Sequence, residues 1–146
     1  GGSGKTSLIA SYLENHKIPS LWYQIDARDD DPATFFYYLR LAASPFIDSP
    51  NQSLPLFGPE YLSNIESFGL NFFEKLCFHL QPPMWLVFDN FQELSATSPL
   101  LRILSKSIEV LPSNVVTVII SRNNPPVEMA RLQANRTLYY IGADNI

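Results

Sequence analysis

The opening of this 146-residue sequence has the residue types needed to hold a phosphorylated ligand. Gly1-Gly2-Ser3-Gly4-Lys5-Thr6 matches the end of the phosphate-binding pattern G-x-x-x-x-G-K-[ST]. Glycines let successive backbone N–H groups turn toward a phosphate, and the N-terminus of the following helix adds a favourable dipole. We therefore expect a phosphate site with the Lys5 ammonium on the β- and γ-phosphates. Its predicted residues are Gly1, Gly2, Ser3, Gly4, Lys5, Thr6 and Ser7.

A carboxylate at the end of an apolar run forms the second group. Asp89 follows the continuous run at residues 84–88, which is typical of a parallel strand covered on both faces. The carboxyl end of such a strand faces the crevice in which open α/β sheets bind ligands. Asp89 and the Thr6 hydroxyl would there offer Mg²⁺ the oxygen ligands that it prefers. The alternative is that Asp89 only begins a turn with Asn90.

The third group is an arginine, Arg122, at the end of the clearest strand of the sequence, at residues 115–122. Arg122 would point into the same crevice and bind the γ-phosphate. The alternative is an ordinary surface arginine at a strand end. The order of loop, acid and arginine favours the phosphate site over the separate alternatives.

The elements that must position these residues alternate between helix and strand. Helices are predicted at residues 7–14, 33–43, 60–80 (with Gly69 as a point of interruption), 99–111 and 127–132, and strands at 21–26, 84–89, 115–122 and 138–141. Asp31 and Pro32 predict the start of the second helix, and prolines predict an irregular loop over residues 45–59. This alternation predicts an α/β fold with a parallel sheet.

Composition excludes several classes of function. A net charge of −4 argues against binding to the phosphate backbone of a nucleic acid. A content of only 16% charged residues argues against a disordered, charge-rich tail. A lone cysteine, Cys77, indicates a reducing compartment and is expected to lie inert in the core. No apolar run reaches the roughly 18 residues of a membrane span, so we expect a cytoplasmic protein without membrane contact.

Other polar residues receive structural interpretations. Helix capping accounts for Asp29, Asp30 and Asp31 better than a metal cluster does, and Asp26 is expected to be structural. His16 and His79 lack partners at the spacing of zinc ligands. The aromatic residues at 35–38 are expected to pack in the core.

Five segments taken together resemble the nucleotide-binding domain of MalT-like, LuxR-type large transcriptional regulators, which belong to the STAND class of P-loop ATPases. These segments are Gly1-Gly2-Ser3-Gly4-Lys5-Thr6, Trp22-Tyr23-Gln24-Ile25-Asp26, Asp31-Pro32-Ala33-Thr34-Phe35-Phe36, Leu86-Val87-Phe88-Asp89-Asn90-Phe91, and Ile120-Ser121-Arg122 with Pro125-Pro126. The resemblance covers essentially residues 1–146. It implies a P-loop NTPase domain with a three-layer αβα arrangement, whose first strand and first loop glycine would precede Gly1. That strand is expected in the middle of the sheet, so its two neighbours would each lack a ladder partner.

The resemblance implies a switch controlled by ATP, ADP and Mg²⁺. Gly4, Lys5 and Thr6 would bind phosphate and Mg²⁺, Asp89 would be the Walker B acid, and Arg122 would sense phosphate. In such proteins ATP allows self-association, downstream helical repeats sense an inducer, and a C-terminal helix-turn-helix binds DNA. This segment itself is not expected to contact nucleic acid.

One departure from that pattern concerns the position after the Walker B acid. A second acid often stands there and orients the attacking water, whereas this chain has Asn90. An amide holds a water by hydrogen bonds but cannot act as a general base. We therefore expect at most slow Mg²⁺-dependent ATP hydrolysis. Glu93 lies nearby in the sequence.

Two other functions remain open at this point. A small-molecule kinase would use the same loop, but it would want several further arginines around a second substrate, and the chain has six in all. A degenerate scaffold would keep the fold without binding nucleotide.

Overall fold

The computed structural model describes residues 3–48, 54–135 and 138–143. Gly1 and Gly2, and part of the predicted loop, lie outside these residues. The elements are α1 (Ser3–Asn15), β1 (Ser20–Gln24), α2 (Pro32–Ala43), α3 (Ile65–Leu80), β2 (Met84–Asp89), α4 (Pro99–Glu109), β3 (Val115–Ile120), α5 (Val127–Ala130) and β4 (Leu138–Ile141). The four strands form one parallel sheet in the order β1-β2-β3-β4. The predicted α/β class is confirmed.

Helices cover both faces of the sheet, as the apolar character of its central strands requires. Successive side chains of a strand point to opposite faces, so β3 sends Val115 and Ile119 to one face and Val118 and Ile120 to the other. The first face packs against α2, α3 and α4. The second packs against Ile9 and Leu13 of α1. The arrangement therefore has three layers, with α1 alone on its side among the described helices.

The larger core is rich in aromatic side chains from two neighbouring helices. Phe36 of α2 contacts three phenylalanine rings of α3, with ring centroids 4.9 to 6.3 Å apart. Aromatic pairs in edge-to-face or tilted geometry add about 0.5–1.5 kcal/mol each beyond the area that they bury. Cys77 lies buried in the same core, where burial raises the pKa of its thiol to about 11.

The expected gap in the middle of the sheet is not present. Within the described residues β2 pairs directly with β3, in a register that runs from Met84 opposite Val115 to Phe88 opposite Ile119. The apolar sequences of the two strands explain the pairing, because each strand fits between two helix layers and can serve as the other's ladder partner. The prediction of two unpaired neighbours is therefore wrong for this structure.

Several predicted boundaries also change. Helix α1 begins at Ser3 instead of residue 7, so Gly4, Lys5 and Thr6 form its first turn. The helix predicted over residues 60–80 begins at Ile65, after a short 3₁₀ turn at Pro59–Tyr61. Gly69 does not interrupt this helix; it allows a close crossing with α4, because a Cβ at Gly69 would lie 2.8 Å from Ile103 Cγ2.

The aspartates after β1 form two sets of contacts. Asp26 accepts a hydrogen bond from the backbone N–H of Arg28, and Asp29 accepts one from that of Asp26, which together form the capping box of a 3₁₀ helix at Ala27–Asp30. Asp30 instead accepts from the backbone N–H of Ser95, across the carboxyl edge of the sheet. Capping is thus confirmed for Asp29, and it is wrong for Asp30. The structural role expected of Asp26 is confirmed, because Asp26 is the N-cap of this 3₁₀ helix.

Asp31 occupies the predicted position before α2, with Pro32 as the first helical residue. Its side chain accepts from the Thr34 hydroxyl and not from a backbone N–H of the helix. Among residues 3–48, 54–135 and 138–143, no helix is both long enough and apolar enough to cross a bilayer.

Candidate functional site

The predicted phosphate-binding residues meet the predicted acid at the carboxyl edge of the sheet. The first turn of α1 places Lys5 and Thr6 beside the ends of β2 and β3. The first four backbone N–H groups of an α-helix have no partner within the helix, and the dipole makes that end favourable for anions. Gly4 lies in this turn with open space where a Cβ would be. The N-terminus of α1 can therefore receive an anionic group closely.

Lys5 joins α1 to the end of β3. Its ammonium donates a hydrogen bond to the backbone carbonyl of Ser121 at 2.8 Å, and the lysine is only 9% exposed. The N–H of Ser121 donates in turn to the carbonyl of Ile141, which fixes this point of the backbone. One of the three ammonium donors is used in this contact, and the other two remain available to a ligand.

Thr6 and Asp89 form the second contact between α1 and the sheet. The Thr6 hydroxyl donates to Asp89 Oδ2 at 2.9 Å, while the N–H of Asn90 donates to Asp89 Oδ1 at 2.8 Å. The backbone carbonyl of Asp89 also accepts from the N–H of Ile25, beyond the end of β1. These bonds orient a carboxylate that is only 5% exposed.

The donor set of Thr6 and Asp89 fits a hard divalent cation. A hydroxyl and a carboxylate are oxygen ligands, and Mg²⁺ in phosphate sites typically takes one or two carboxylates together with phosphate oxygens and water. A closed cage of three or more His, Cys, Asp or Glu side chains does not occur among the described residues. The site thus suits an ion that enters with a phosphorylated ligand.

Arg122 lies two residues beyond the end of β3, outside the strand predicted to run to residue 122, and it is exposed at the same edge. Its backbone N–H donates to Gln92 Oε1 at 3.1 Å. In the described part of the chain, no carboxylate forms an ion pair with its guanidinium. The structure therefore places Arg122 near the site without a protein partner for its charge among those residues.

Asn90 lies one residue beyond Asp89 in a left-handed backbone conformation, with φ of 59°. Asparagine tolerates this region better than most residues. The 3₁₀ turn that follows brings Gln92 back toward Asn90, and Gln92 Nε2 donates to Asn90 Oδ1 at 3.4 Å. Glu93 is exposed. Its backbone N–H, and not its carboxylate, is what contacts Asn90.

Two parts of this arrangement are not among the predicted site residues. One is the carbonyl of Ser121, which as a backbone atom has no signature in residue type. The other is Gln92, whose only signal is a polar side chain between the apolar Phe91 and Leu94, shortly after a strand end. Ser7 lies in α1 and is exposed, and the structure shows no contact that joins it to the other residues of the site.

A cavity of about 330 Å³ opens beside the site. It shares Ser121 and Gln92 with the contacts described above, and its other polar lining comes chiefly from Ser95, Asn123 and Asn124. Among the residues that the structure describes, no lysine or arginine lines it, whereas Glu128 does. The electrostatics therefore favour phosphate at the N-terminus of α1 and not in this cavity.

Comparison with known proteins finds MalT regulators that are similar to almost the whole of this chain. The chain is 28% identical over 144 residues to the HTH-type transcriptional regulator MalT of Vibrio cholerae serotype O1 (strain ATCC 39315 / El Tor Inaba N16961), which covers 97% of this chain and 15% of the relative. The resemblance to MalT-type regulators is confirmed. A second MalT, from Cronobacter sakazakii (strain ATCC BAA-894), is 26% identical over 148 residues, with 99% of this chain and 16% of the relative covered.

The chain spans only about a sixth of the length of these MalT relatives. No protein-family model matches it. The similarity therefore relates this chain to one segment of MalT-type regulators, over almost all of its own residues.

Proposed function

We propose that this chain is an ATP- and ADP-binding regulatory module of a MalT-type transcriptional regulator, with Mg²⁺ as the accompanying ion. The observation that carries the proposal is the pair of contacts from the first turn of α1. Lys5 reaches the end of β3, and Thr6 reaches the acid at the end of β2. These contacts gather a cation, an oxygen-ligand pair and a helix N-terminus in one crevice, which is the combination that a nucleoside polyphosphate requires.

Each group then has a distinct task. The backbone N–H groups of α1 and the Lys5 ammonium bind phosphate oxygens, and Gly4 leaves room for their approach. Thr6 and Asp89 hold Mg²⁺, which would neutralise charge on the terminal phosphates. Arg122, exposed at the same edge, is the group that would respond to the presence of a γ-phosphate.

Hydrolysis is expected to be slow because no general base follows Asp89. Asn90 cannot accept a proton from an attacking water. Asn90→Asp introduces a carboxylate and is expected to raise ATP turnover by at least about tenfold, which is below the roughly 10²–10⁴-fold that a well-placed general base contributes. Unchanged turnover in a protein that still binds ATP would show that Asn90 does not limit the reaction.

The other parts of the proposal follow from the resemblance to MalT-like, LuxR-type regulators. A full-length protein of their kind would carry a helical sensor region and a helix-turn-helix beyond this module, with ATP-dependent self-association as the output. The acidic composition, with a net charge of −4, leaves DNA contact to other segments. We also propose a cytoplasmic location, because a lone cysteine, Cys77, indicates a reducing compartment.

Calorimetric titration of ATP and ADP, with Mg²⁺, into the full-length protein tests the proposal. Wild-type protein is expected to bind both nucleotides, and Lys5→Ala to lose at least tenfold in affinity, since a charge-assisted hydrogen bond contributes roughly 1.5–3 kcal/mol. Lys75→Ala is the matched control, because Lys75 is exposed on α3, away from the site. No binding to the wild type would favour a scaffold without nucleotide, whereas transfer of phosphate to an added acceptor would favour a kinase.

A further inference from the structure

We infer that Gln92 fixes the orientation of the Asn90 amide so that Asn90 donates hydrogen bonds to a terminal phosphate. This inference rests on the proposed function and assigns a positioning role within the same site. It starts from the two contacts of the Gln92 side chain, which link the residue after Asp89 to the residue after Ser121.

The backbone N–H of Arg122 determines which way the side-chain amide of Gln92 is oriented. The backbone N–H of Arg122 is only a donor, so the amide group of Gln92 must turn its oxygen toward it. The Nε2 hydrogens of Gln92 are then directed to the other side, where Asn90 Oδ1 accepts at 3.4 Å. The second contact is longer than the usual 2.9–3.0 Å, which leaves Asn90 room to adjust when a ligand arrives.

The orientation of Asn90 follows from that of Gln92. Because Asn90 Oδ1 accepts from Gln92, the two Nδ2 hydrogens of Asn90 remain for another acceptor, and no acceptor among the described residues takes them. Asn90 is also anchored through its backbone N–H to Asp89 Oδ1, beside the Thr6 hydroxyl. The backbone of Asn90 is therefore fixed beside the expected position of Mg²⁺, and we infer that its Nδ2 hydrogens serve the last phosphate.

A donor at this position has a specific chemical consequence. It stabilises the negative charge of a γ-phosphate oxygen, which only ATP supplies, and it contributes nothing to ADP. It also presents no acceptor to an attacking water, so it favours binding of ATP over its hydrolysis. The series from the Arg122 N–H through Gln92 to Asn90 thus links the end of β3 to discrimination between the two nucleotides.

The test is a double-mutant cycle on the full-length protein, with ATP and ADP affinities measured by calorimetry in Mg²⁺. Gln92→Ala and Asn90→Ala are each expected to lower ATP affinity by about tenfold and to leave ADP affinity within about twofold. The double variant is expected to be no weaker for ATP than Asn90→Ala alone, because Gln92 acts through Asn90. Gln133→Ala, at an exposed glutamine away from the site, is expected to change neither affinity.

Gln92→Met keeps the length of the side chain without its amide, and it replaces Gln92→Ala if that variant fails to fold. Equal losses for ATP and ADP in the Gln92 variants would overturn the inference, as would losses in the double variant that equal the product of the single ones. Either result leaves the proposed function standing if both nucleotides still bind. A wild-type protein that binds neither nucleotide overturns the proposed function, and the role of Gln92 with it.

Discussion

The hydroxyl of Thr6 donates to Asp89 Oδ2 at 2.9 Å, although 83 residues separate the two in sequence. This bond brings together the first turn of the first helix and the last residue of β2. Each residue alone has an ordinary structural explanation, namely a helix start or a turn. Their contact brings together two oxygen ligands for the Mg²⁺ of the proposed function.

Thr6→Val removes the hydroxyl and keeps the branched shape. We expect about a tenfold loss of nucleotide affinity in the presence of Mg²⁺ and little change in EDTA, because the lost oxygen would serve the ion. Calorimetry in both buffers measures the difference. Thr6→Ser keeps the oxygen and should behave like the wild type. An equal loss with and without Mg²⁺ would argue that Thr6 acts through the fold alone.

Gly4→Ala is expected to change the stability of the protein and its nucleotide affinity in different ways. A Cβ at Gly4 meets no atom within 4 Å, and alanine is about 0.5–1 kcal/mol more favourable than glycine within a helix. We therefore expect the melting temperature to stay equal or rise slightly while nucleotide affinity falls at least tenfold, since the new methyl group occupies the space of the phosphate. Thermal melting measures the stability of the variant, and calorimetry on the same sample measures its nucleotide affinity. Unchanged affinity would exclude a phosphate at this turn.

Gly69→Ala tests the close crossing of α3 and α4. The new Cβ would lie 2.8 Å from Ile103 Cγ2 and 3.2 Å from Ser107 Oγ, so the two helices must move apart. We expect a loss of about 1–3 kcal/mol in the free energy of unfolding, measured by urea denaturation. Ala10→Gly, at an exposed position within α1, serves as a reference for the propensity difference alone. A stabilised Gly69→Ala protein would mean that α4 does not approach as closely as described.

Ser107→Ala is expected to stabilise the same crossing. The Ser107 hydroxyl is fully buried and finds no hydrogen-bond partner among the residues described. Removing an unpaired buried hydroxyl relieves a desolvation cost of about 1–3 kcal/mol, and alanine also favours the helix. We expect a gain of about 1 kcal/mol in urea denaturation. A loss of stability would instead reveal a hydrogen-bonded water or side chain at this hydroxyl.

Asp29 gives stability an unusual pH dependence. Burial raises the pKa of this carboxyl above its ordinary 3.8, against the opposing hydrogen bonds from the Asp26 N–H and the Tyr23 hydroxyl. The folded protein therefore binds this proton more tightly than the unfolded chain does. As pH rises from below 3.8 through the folded pKa, the wild type loses stability relative to Asp29→Asn, by about 1.4 kcal/mol per unit of pKa shift.

Urea denaturation of both proteins between about pH 3.5 and 7 measures that trend. Asp29→Asn also loses one acceptor for the Asp26 N–H, but this offset is the same at every pH. The comparison therefore depends only on how the difference changes with pH. If the free energy of unfolding of the wild type instead rises relative to that of Asp29→Asn as the pH rises, the hydrogen bonds to Asp29 outweigh its burial.

Patterns that act over neighbouring residues were predictable from the sequence. The bounds of β2 and β4 match their predicted ranges, because each is a short apolar run between strong turn signals. The Lys5 contact was not predictable, because its acceptor is a backbone carbonyl 116 residues away. Every residue has such a carbonyl, so the type of residue does not reveal it. The prediction that Gly69 interrupts α3 was wrong because it considered helix propensity without tertiary packing. Helix propensity penalises glycine, whereas the tertiary packing against Ile103 requires it.

The direct pairing of β2 with β3 could not be read from local patterns either. Strand propensity indicates that Met84–Asp89 and Val115–Ile120 are strands, but it contains no information on which strands become neighbours. Order within a sheet depends on the crossovers, and their direction is a property of the whole chain.

The separation of Lys5 from Ser121 also determines when the crevice can exist during synthesis. Strands β1, β2 and β3 lie side by side in their order of synthesis, so each can join the sheet as it emerges from the ribosome. The carbonyl that receives Lys5 is made 116 residues after it. A nascent chain therefore makes β1, β2 and β3 before it can hold a ligand at this crevice, and ligand binding can stabilise only a chain that has already made these strands.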